Sequence, residues 1–260
     1  MRILLFSLLT TALAGADLAP TGTLRAAFLG DNPVQGHVDE KTGASTGPVA
    51  DLVRELAARL KIPYKLLPEP DARHVMDRVK EHGADIGFLA WDAPRAVEVD
   101  YTGPYLLMLN SYVVRADSPI RKSADADREG VRIGGVKGQT QEIYLNETLK
   151  HARVQPFVKQ PPTPDLERML TAGELDAFAL NRQRAEDLVR GSPKLRVLPD
   201  DFLKAEQSVV VSKGNAAAVV ELNRFLEDVL KSGLVKKSIE QAKIAGVEAA
   251  PVPLKPAKGK

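Results

Sequence analysis

An arginine stands at the mouth of what reads as a buried strand. Residues 88–105 are FLAWDAPRAVEVDYTGPY: apolar to Trp91, broken at Asp92-Ala93-Pro94-Arg95, and ended by Gly103-Pro104-Tyr105. A guanidinium is always charged and offers a planar fork of donors suited to a carboxylate or phosphate. Arg95 is therefore either a solvated charge, paired with Asp92 in a surface contact worth a few tenths of a kcal/mol, or a waiting anion ligand. Trp91, the only tryptophan, is either a packed core aromatic or a platform for a ligand. A second candidate is Gly134-Gly135-Val136-Lys137-Gly138-Gln139-Thr140, which follows a strand and opens a helix. Glycines there let backbone amides face a cleft, and a helix start favours an anion. The segment is neither GK[ST] nor GxGxxG, so an ordinary turn competes with the anion reading. Catalytic patterns are thin. His37, His74, His82 and His151 lack metal-ligand spacing, and neither HExxH nor GxSxG occurs. Glu206, beside Gln207, is the one acid to watch, and a solvated loop carboxylate is its plainer reading.

The elements that must position these residues follow from periodicity. Strands are expected at 23–28, 63–67 and 85–90, with helices at 48–60 and 71–82 between them. Val49, Leu52, Val53, Leu56 and Leu60 make one apolar stripe, and Pro48 suits a first helical turn. A polar, glycine-containing stretch at 36–46 reads as a hairpin excursion. After a strand at 106–114 the β-α-β-α-β pattern restarts at Val131 and runs to a helix at 182–190. A strand at 208–211 and helices at 216–231 and 234–245 then return to the first unit. The expectation is an α/β chain of two lobes, each a mixed sheet flanked by helices, joined by two hinge strands. Lobe 1 is 17–110 plus 207–247, lobe 2 is 111–206, and a Pro- and Lys-rich tail at 248–260 is expected to be disordered. Ligands of open α/β sheets sit at the carboxyl ends of the strands. That rule selects Gly30-Asp31-Asn32, Leu89-Ala90-Trp91-Asp92, Gly135 to Thr140, and Asn181-Arg182.

Composition narrows the class. The chain has 260 residues, 36 basic and 34 acidic, with charges mixed along it, and aromatics are 5%. No basic stripe interleaved with aromatics suggests nucleic acid. Cysteine is absent, which excludes disulfides, thiolate metal sites and a lipid-anchored cysteine. Met1-Arg2 followed by ILLFSLLTTALAGA reads as a secretory signal peptide, residues 1–16, cleaved before Asp17. A periplasmic location is the expectation.

Four segments in order carry a resemblance: GPVADLVRELAARL, DIGFLAWDAPRAVEVDYTGPY, GVRIGGVKGQTQEIYL and AGELDAFALN. Together, over about 22–245, the chain resembles the family 3 extracellular solute-binding proteins, the polar amino-acid receptors of ABC importers. The resemblance implies the type II periplasmic-binding-protein fold and a non-enzymatic receptor. It implies capture of a small carboxylate-bearing solute, an amino acid or organic acid, delivered to ABC permease subunits by a monomer without a cofactor. It implies a bidentate carboxylate contact from Arg95, a second contact from Thr140 and the amides of the Gly138 loop, and backbone around Leu89-Ala90 facing the ligand. The chain departs from the family elsewhere. Asn181 stands where an acid usually meets the ligand ammonium. Asp31 or Asn32, and Ala72, stand where aromatics sandwich the ligand, and Trp91 and Asp92 replace small hydroxyl residues. The carboxylate clamp is kept while the ammonium site is rebuilt, so Asp31 or Asp92 takes the ammonium or the ligand has none. Similarity to a periplasmic cyclohexadienyl dehydratase around GVKGQTQE and KAEQSVVV gives an enzymatic alternative with Glu206 as acid, although Gln207 replaces a lysine there. A receptor reporting to a membrane sensor is a further alternative.

Overall fold

The computed structural model describes residues 18–30, 32, 34–39 and 42–254. The expected signal peptide, the end of the tail and Asp31 lie outside those residues. β1 (Leu24–Leu29) is followed by the small hairpin β2 (His37–Val38) and β3 (Ser45–Thr46), then by α1 (Pro48–Leu60), β4 (Tyr64–Glu69), α2 (Ala72–Lys80) and β5 (Ile86–Ala90). A short α3 (Ala93–Glu98) leads into β6 (Val99–Arg115), which is 17 residues long and almost wholly buried. The pattern then repeats as β7 (Arg132–Val136), α4 (Thr140–Thr148), β8 (Arg153–Phe157), α5 (Thr163–Thr171), β9 (Ala177–Asn181) and α6 (Arg182–Arg190). β10 (Leu195–Val197), β11 (Leu203–Ser212), α7 (Ala216–Lys231), α8 (Leu234–Ala242) and β12 (Val247–Ala249) complete the chain.

The strand order is β4-β1-β5-β11-β6-β9-β7-β8, with β10 and β12 also paired to β6. Each half has three parallel strands with its first strand in the middle, β4-β1-β5 and β9-β7-β8. The long strands β6 and β11 run antiparallel between them and belong to both halves. The apolar core divides along the same line. Two clusters draw on residues up to Met108 and from Leu203 onward, and two on residues between Tyr112 and Phe202. Each half therefore buries its own helices against its own sheet.

The same device locks the amino ends of both parallel sets. Arg25 ends its strand facing Asp85, whose Oδ2 accepts from the Arg25 backbone N–H at 2.8 Å and whose Oδ1 lies 2.6 Å from Nη2. Arg132 repeats this with Asp176, at 2.9 Å from its N–H and 3.1 Å from Nε. With the amino ends tied, the carboxyl ends of both sheets are left to face one another.

Two features differ from the sequence expectation, both for long-range reasons. β6 begins at Val99 rather than 106, because Thr102 bridges the irregularity that Pro104 imposes. Proline cannot donate to the ladder, and the register of β11 slips around Ser208. The Thr102 hydroxyl instead accepts from the Val209 N–H at 3.0 Å, and Gly103 N–H donates to Asn223 Oδ1 at 2.8 Å. The tail expected to be disordered from residue 248 is ordered to Leu254. β12 pairs with β6 at Leu106 to Met108, Ala250 N–H donates to Tyr105 at 3.1 Å, and Leu254 packs on the first core. Proline-rich composition misled because an exposed edge of β6 supplies the hydrogen bonds that the segment lacks by itself.

A Cβ added at Gly134 would overlap the ring of Phe178, which is fully buried. Gly134→Ala should destabilise the fold by about 1–3 kcal/mol through overpacking, read as a lower urea midpoint. Asp127 accepts the N–H groups of Ala152, His151 and Lys150, which hold its carboxyl down to about 2. Its contribution to stability is present above about pH 4 and disappears as pH falls toward 2. Asp127→Asn should therefore lower Tm at neutral pH but not near about pH 2, a comparison that thermal melts at both pH values will make.

Candidate functional site

Between the halves lies a cavity of about 690 Å³, within the size range of small-molecule sites. Both halves supply its wall through the ends of β5, β7 and β9 and the helices that follow. Of the residues the sequence selected, Ala90, Asp92, Arg95, Gly138, Thr140, Asn181 and Asn32 line this cleft, as does Ala72. Trp91 does not. Successive residues leave a strand end on opposite sides, and Trp91, partly buried, packs against the apolar cluster that includes Val75 and Tyr101. It borders a smaller hollow of about 240 Å³, which shares Asp92, Thr140 and Ile143 with the cleft and which Glu206 also lines. Gln207, the next residue of β11, takes the cleft side.

Arg95 is not a solvated charge. Its side chain is 12% exposed, and Asp92 beside it is 5% exposed. Nη1 lies 2.8 Å from Asp92 Oδ2, an ion-pair contact off the line of a hydrogen bond. Nη1 also donates to Ala90 O at 3.2 Å, and Nη2 donates to Gly138 O, in the other half, at 3.0 Å. A guanidinium has five N–H donors, so these contacts leave part of its fork for a ligand. Tyr101 donates its hydroxyl to the same Ala90 carbonyl at 3.2 Å. Burial pushes that phenol well above its ordinary range, so it stays a neutral donor.

The helix starts differ in a way that matters. α2 is capped by Asp71, α3 by Asp92 and α6 by Asn181, each through a side-chain oxygen that accepts an N–H in the first turn. α4 begins after Gln139, whose side chain makes no capping bond. Its first-turn N–H groups therefore lack an intrahelical or capping partner, and the helix dipole adds positive potential there. Gly138 has φ +76, a left-handed conformation that glycine adopts at no steric cost. Its own N–H donates to Glu142 Oε2 at 3.0 Å, so the first-turn amides from Thr140 onward, not that of Gly138, remain open to the cleft.

Sequence reasoning overlooked several wall residues. Gln207 is 1% exposed. Gln35 Oε1 accepts from Leu29 N–H at 2.8 Å, and its Nε2 donates to Gln207 Oε1 at 3.4 Å. The Gln207 amide must then present its NH₂, which is buried without a partner. Lys137, Lys159 and Arg184 also reach the cleft. No local pattern marks Gln207, because its place comes from pairing opposite Ala90 of β5. Arg184 had a legible signal: Asn181-Arg182-Gln183-Arg184 follows β9 as Asp92-Ala93-Pro94-Arg95 follows β5.

Two α/β halves, shared antiparallel strands and a polar cleft at the strand carboxyl ends define the two-lobed type II architecture of solute-binding proteins. The chain belongs to the bacterial extracellular solute-binding proteins, family 3, whose model matches residues 24–242. An ancestral amino acid-binding protein, described as a precursor of cyclohexadienyl dehydratase, is 21% identical, with 87% of this chain and 97% of that one covered and a TM-score of 0.67. A mutant of ArgBP from T. maritima is 24% identical over 89% of this chain and 99% of that one, with a TM-score of 0.65. AbpA from Streptococcus pneumoniae, bound to L-arginine, is 20% identical over 86% and 96%, also with a TM-score of 0.65. These likenesses are of fold. No curated protein sequence matches the chain.

Asp92→Ala removes both the cap of α3 and the counter-charge of a buried guanidinium. It should cost about 3–5 kcal/mol in the ligand-free protein, measured by chemical denaturation.

Proposed function

We propose that the protein is a periplasmic receptor that captures a small carboxylate-bearing solute between its lobes and delivers it to an ABC-type permease. The observation that carries this reading is the pairing of Arg95 with the uncapped start of α4 across the cleft. One lobe offers the free part of a guanidinium fork and the other offers first-turn amides and the Thr140 hydroxyl. A carboxylate placed between them satisfies both sets of donors at once, and each charge-assisted hydrogen bond contributes about 1.5–3 kcal/mol. Binding would hold residues 111–206 against the rest of the chain, with β6 and β11 as the hinge. The family membership supports export and a permease partner. Delivery to a membrane sensor uses the same closed form and differs only in the partner.

The dehydratase-like alternative finds less support. It needs an acid at the reacting solute, and Glu206 borders the smaller adjoining hollow while Gln207 lines the main cleft. Conversion of prephenate to phenylpyruvate by the purified protein would establish the enzymatic reading instead.

Isothermal titration with a panel of small organic acids and amino acids should find a ligand whose affinity falls at least tenfold in Arg95→Ala, since one lost charge-assisted contact exceeds the 1.4 kcal/mol that corresponds to tenfold. Undiminished binding by that variant would remove Arg95 from the site.

A further inference from the structure

We infer that the cleft reads a hydroxyl group on its solute, with the Gln207 side-chain NH₂ donating to that hydroxyl and Asp92 Oδ2 accepting from it. This rests on the receptor reading above and narrows its ligand class to carboxylates hydroxylated close to the carboxyl group.

The polarity of the Gln207 amide is set by backbone groups whose roles cannot be exchanged. Leu29 N–H can only donate, so the Gln35 atom 2.8 Å from it is the amide oxygen. Gln35 Nε2 is then the donor, to Phe88 O at 3.2 Å and to Gln207 Oε1 at 3.4 Å. Both amide oxygens are used, and the Gln207 NH₂ is left over. Both side chains are buried, and neither amide can turn without giving up these bonds. Gln207 lines the cleft, and its Nε2 meets no acceptor among the described residues. A buried donor without a partner is rare in a folded chain, and this one stands in the wall of a ligand cleft.

Asp92 contributes the opposite polarity to the same wall. Its Oδ1 accepts the Arg95 N–H at 2.9 Å as the cap of α3. Its Oδ2 lies 2.8 Å from Arg95 Nη1 but off the line of a hydrogen bond. The charge is compensated, while the buried oxygen still has no hydrogen-bond donor among the described residues. The two groups are close by strand pairing. Gln207 sits opposite Ala90 of β5, and Asp92 follows Ala90 by two residues. Ala90 O accepts from Arg95 Nη1 at 3.2 Å, which puts both groups near the guanidinium assigned to the solute carboxylate. One unmet donor and one unmet acceptor require an occupant group that accepts and donates. A hydroxyl does both. A methylene serves neither, a carbonyl serves only Gln207, and an ammonium serves Asp92 but meets the Gln207 NH₂ with a second donor. Each of these leaves a buried polar group unpaired, which is how a site built for a hydroxyl rejects analogues that lack it.

The test titrates into the purified protein, by calorimetry, three pairs that differ by one hydroxyl: L-malate with succinate, L-lactate with propionate, and L-serine with L-alanine. An amino-acid pair is included because Gln207 and Asp92 fix the hydroxyl and not the rest of the solute. In at least one pair the hydroxylated member should bind about tenfold or more tighter than its partner. Gln207→Met keeps the length of the side chain and removes the NH₂, so it should lower that ratio about fivefold or more. Gln35→Met releases the Gln207 amide to turn and should lower the same ratio. A merely structural defect would weaken both members alike and leave the ratio unchanged. Thermal melts establish that each variant is folded, and either folded variant decides the point. Binding without preference for the hydroxyl in all three pairs, or a ratio that persists in the folded variants, overturns the inference and leaves the receptor reading standing. Binding of no member of any pair also overturns it. If the wider panel of acids and amino acids is silent as well, the receptor reading falls with it.

Discussion

Everything in this molecule depends on how the sheet crosses from one half to the other. A backbone that leaves one core and enters another must keep its N–H and C=O groups paired on the way. β6 meets that demand by bonding to β11 along one side and to β12, β9 and β10 along its remaining length. β11 returns the chain to the first half and wedges against β5, which places Gln207 opposite Ala90. The crossing is thus both the mechanical link between the lobes and the floor of the cleft. The C-terminal segment strengthens it, with Ala245 N–H donating to Gln183 of α6 at 2.6 Å and Lys204 pairing with Glu248 at 3.0 Å.

The two halves solve one packing problem in parallel and then differ where chemistry requires. Arg25–Asp85 and Arg132–Asp176 fix equivalent strand ends. Asp92…Arg95 and Asn181…Arg184 occupy equivalent strand-to-helix turns, each opening with a cap three residues before an arginine. Replacing the acid of one turn by an amide changes nothing in capping, because both oxygens accept the same N–H. It changes the field in the cleft by a full charge.

The Asp92–Arg95 pair shows how context inverts a reading. In the sequence it is an i,i+3 contact of small value. In the fold Asp92 is buried and Arg95 nearly so, and Arg95 is shared among Asp92, Ala90 and Gly138. Trp91 shows the opposite inversion. Its rarity and position suggested a ligand platform, yet it packs on the apolar cluster of the first half and borders the smaller hollow, while both its neighbours, Ala90 and Asp92, line the main cleft.

The sequence by itself determined the α/β pattern, the restart of that pattern at Val131, the helix stripes, and the strand ends from which a site must be built. These are local properties: periodicity, caps and glycine turns are set by residues within a few positions of one another. Only the tertiary structure decided that the tail becomes a strand, that Gln207 lines the cleft opposite Ala90, and that the Arg95 fork reaches Gly138 of the other half. Each of these depends on pairing between segments tens to more than a hundred residues apart, and no window of sequence contains both members of such a pair.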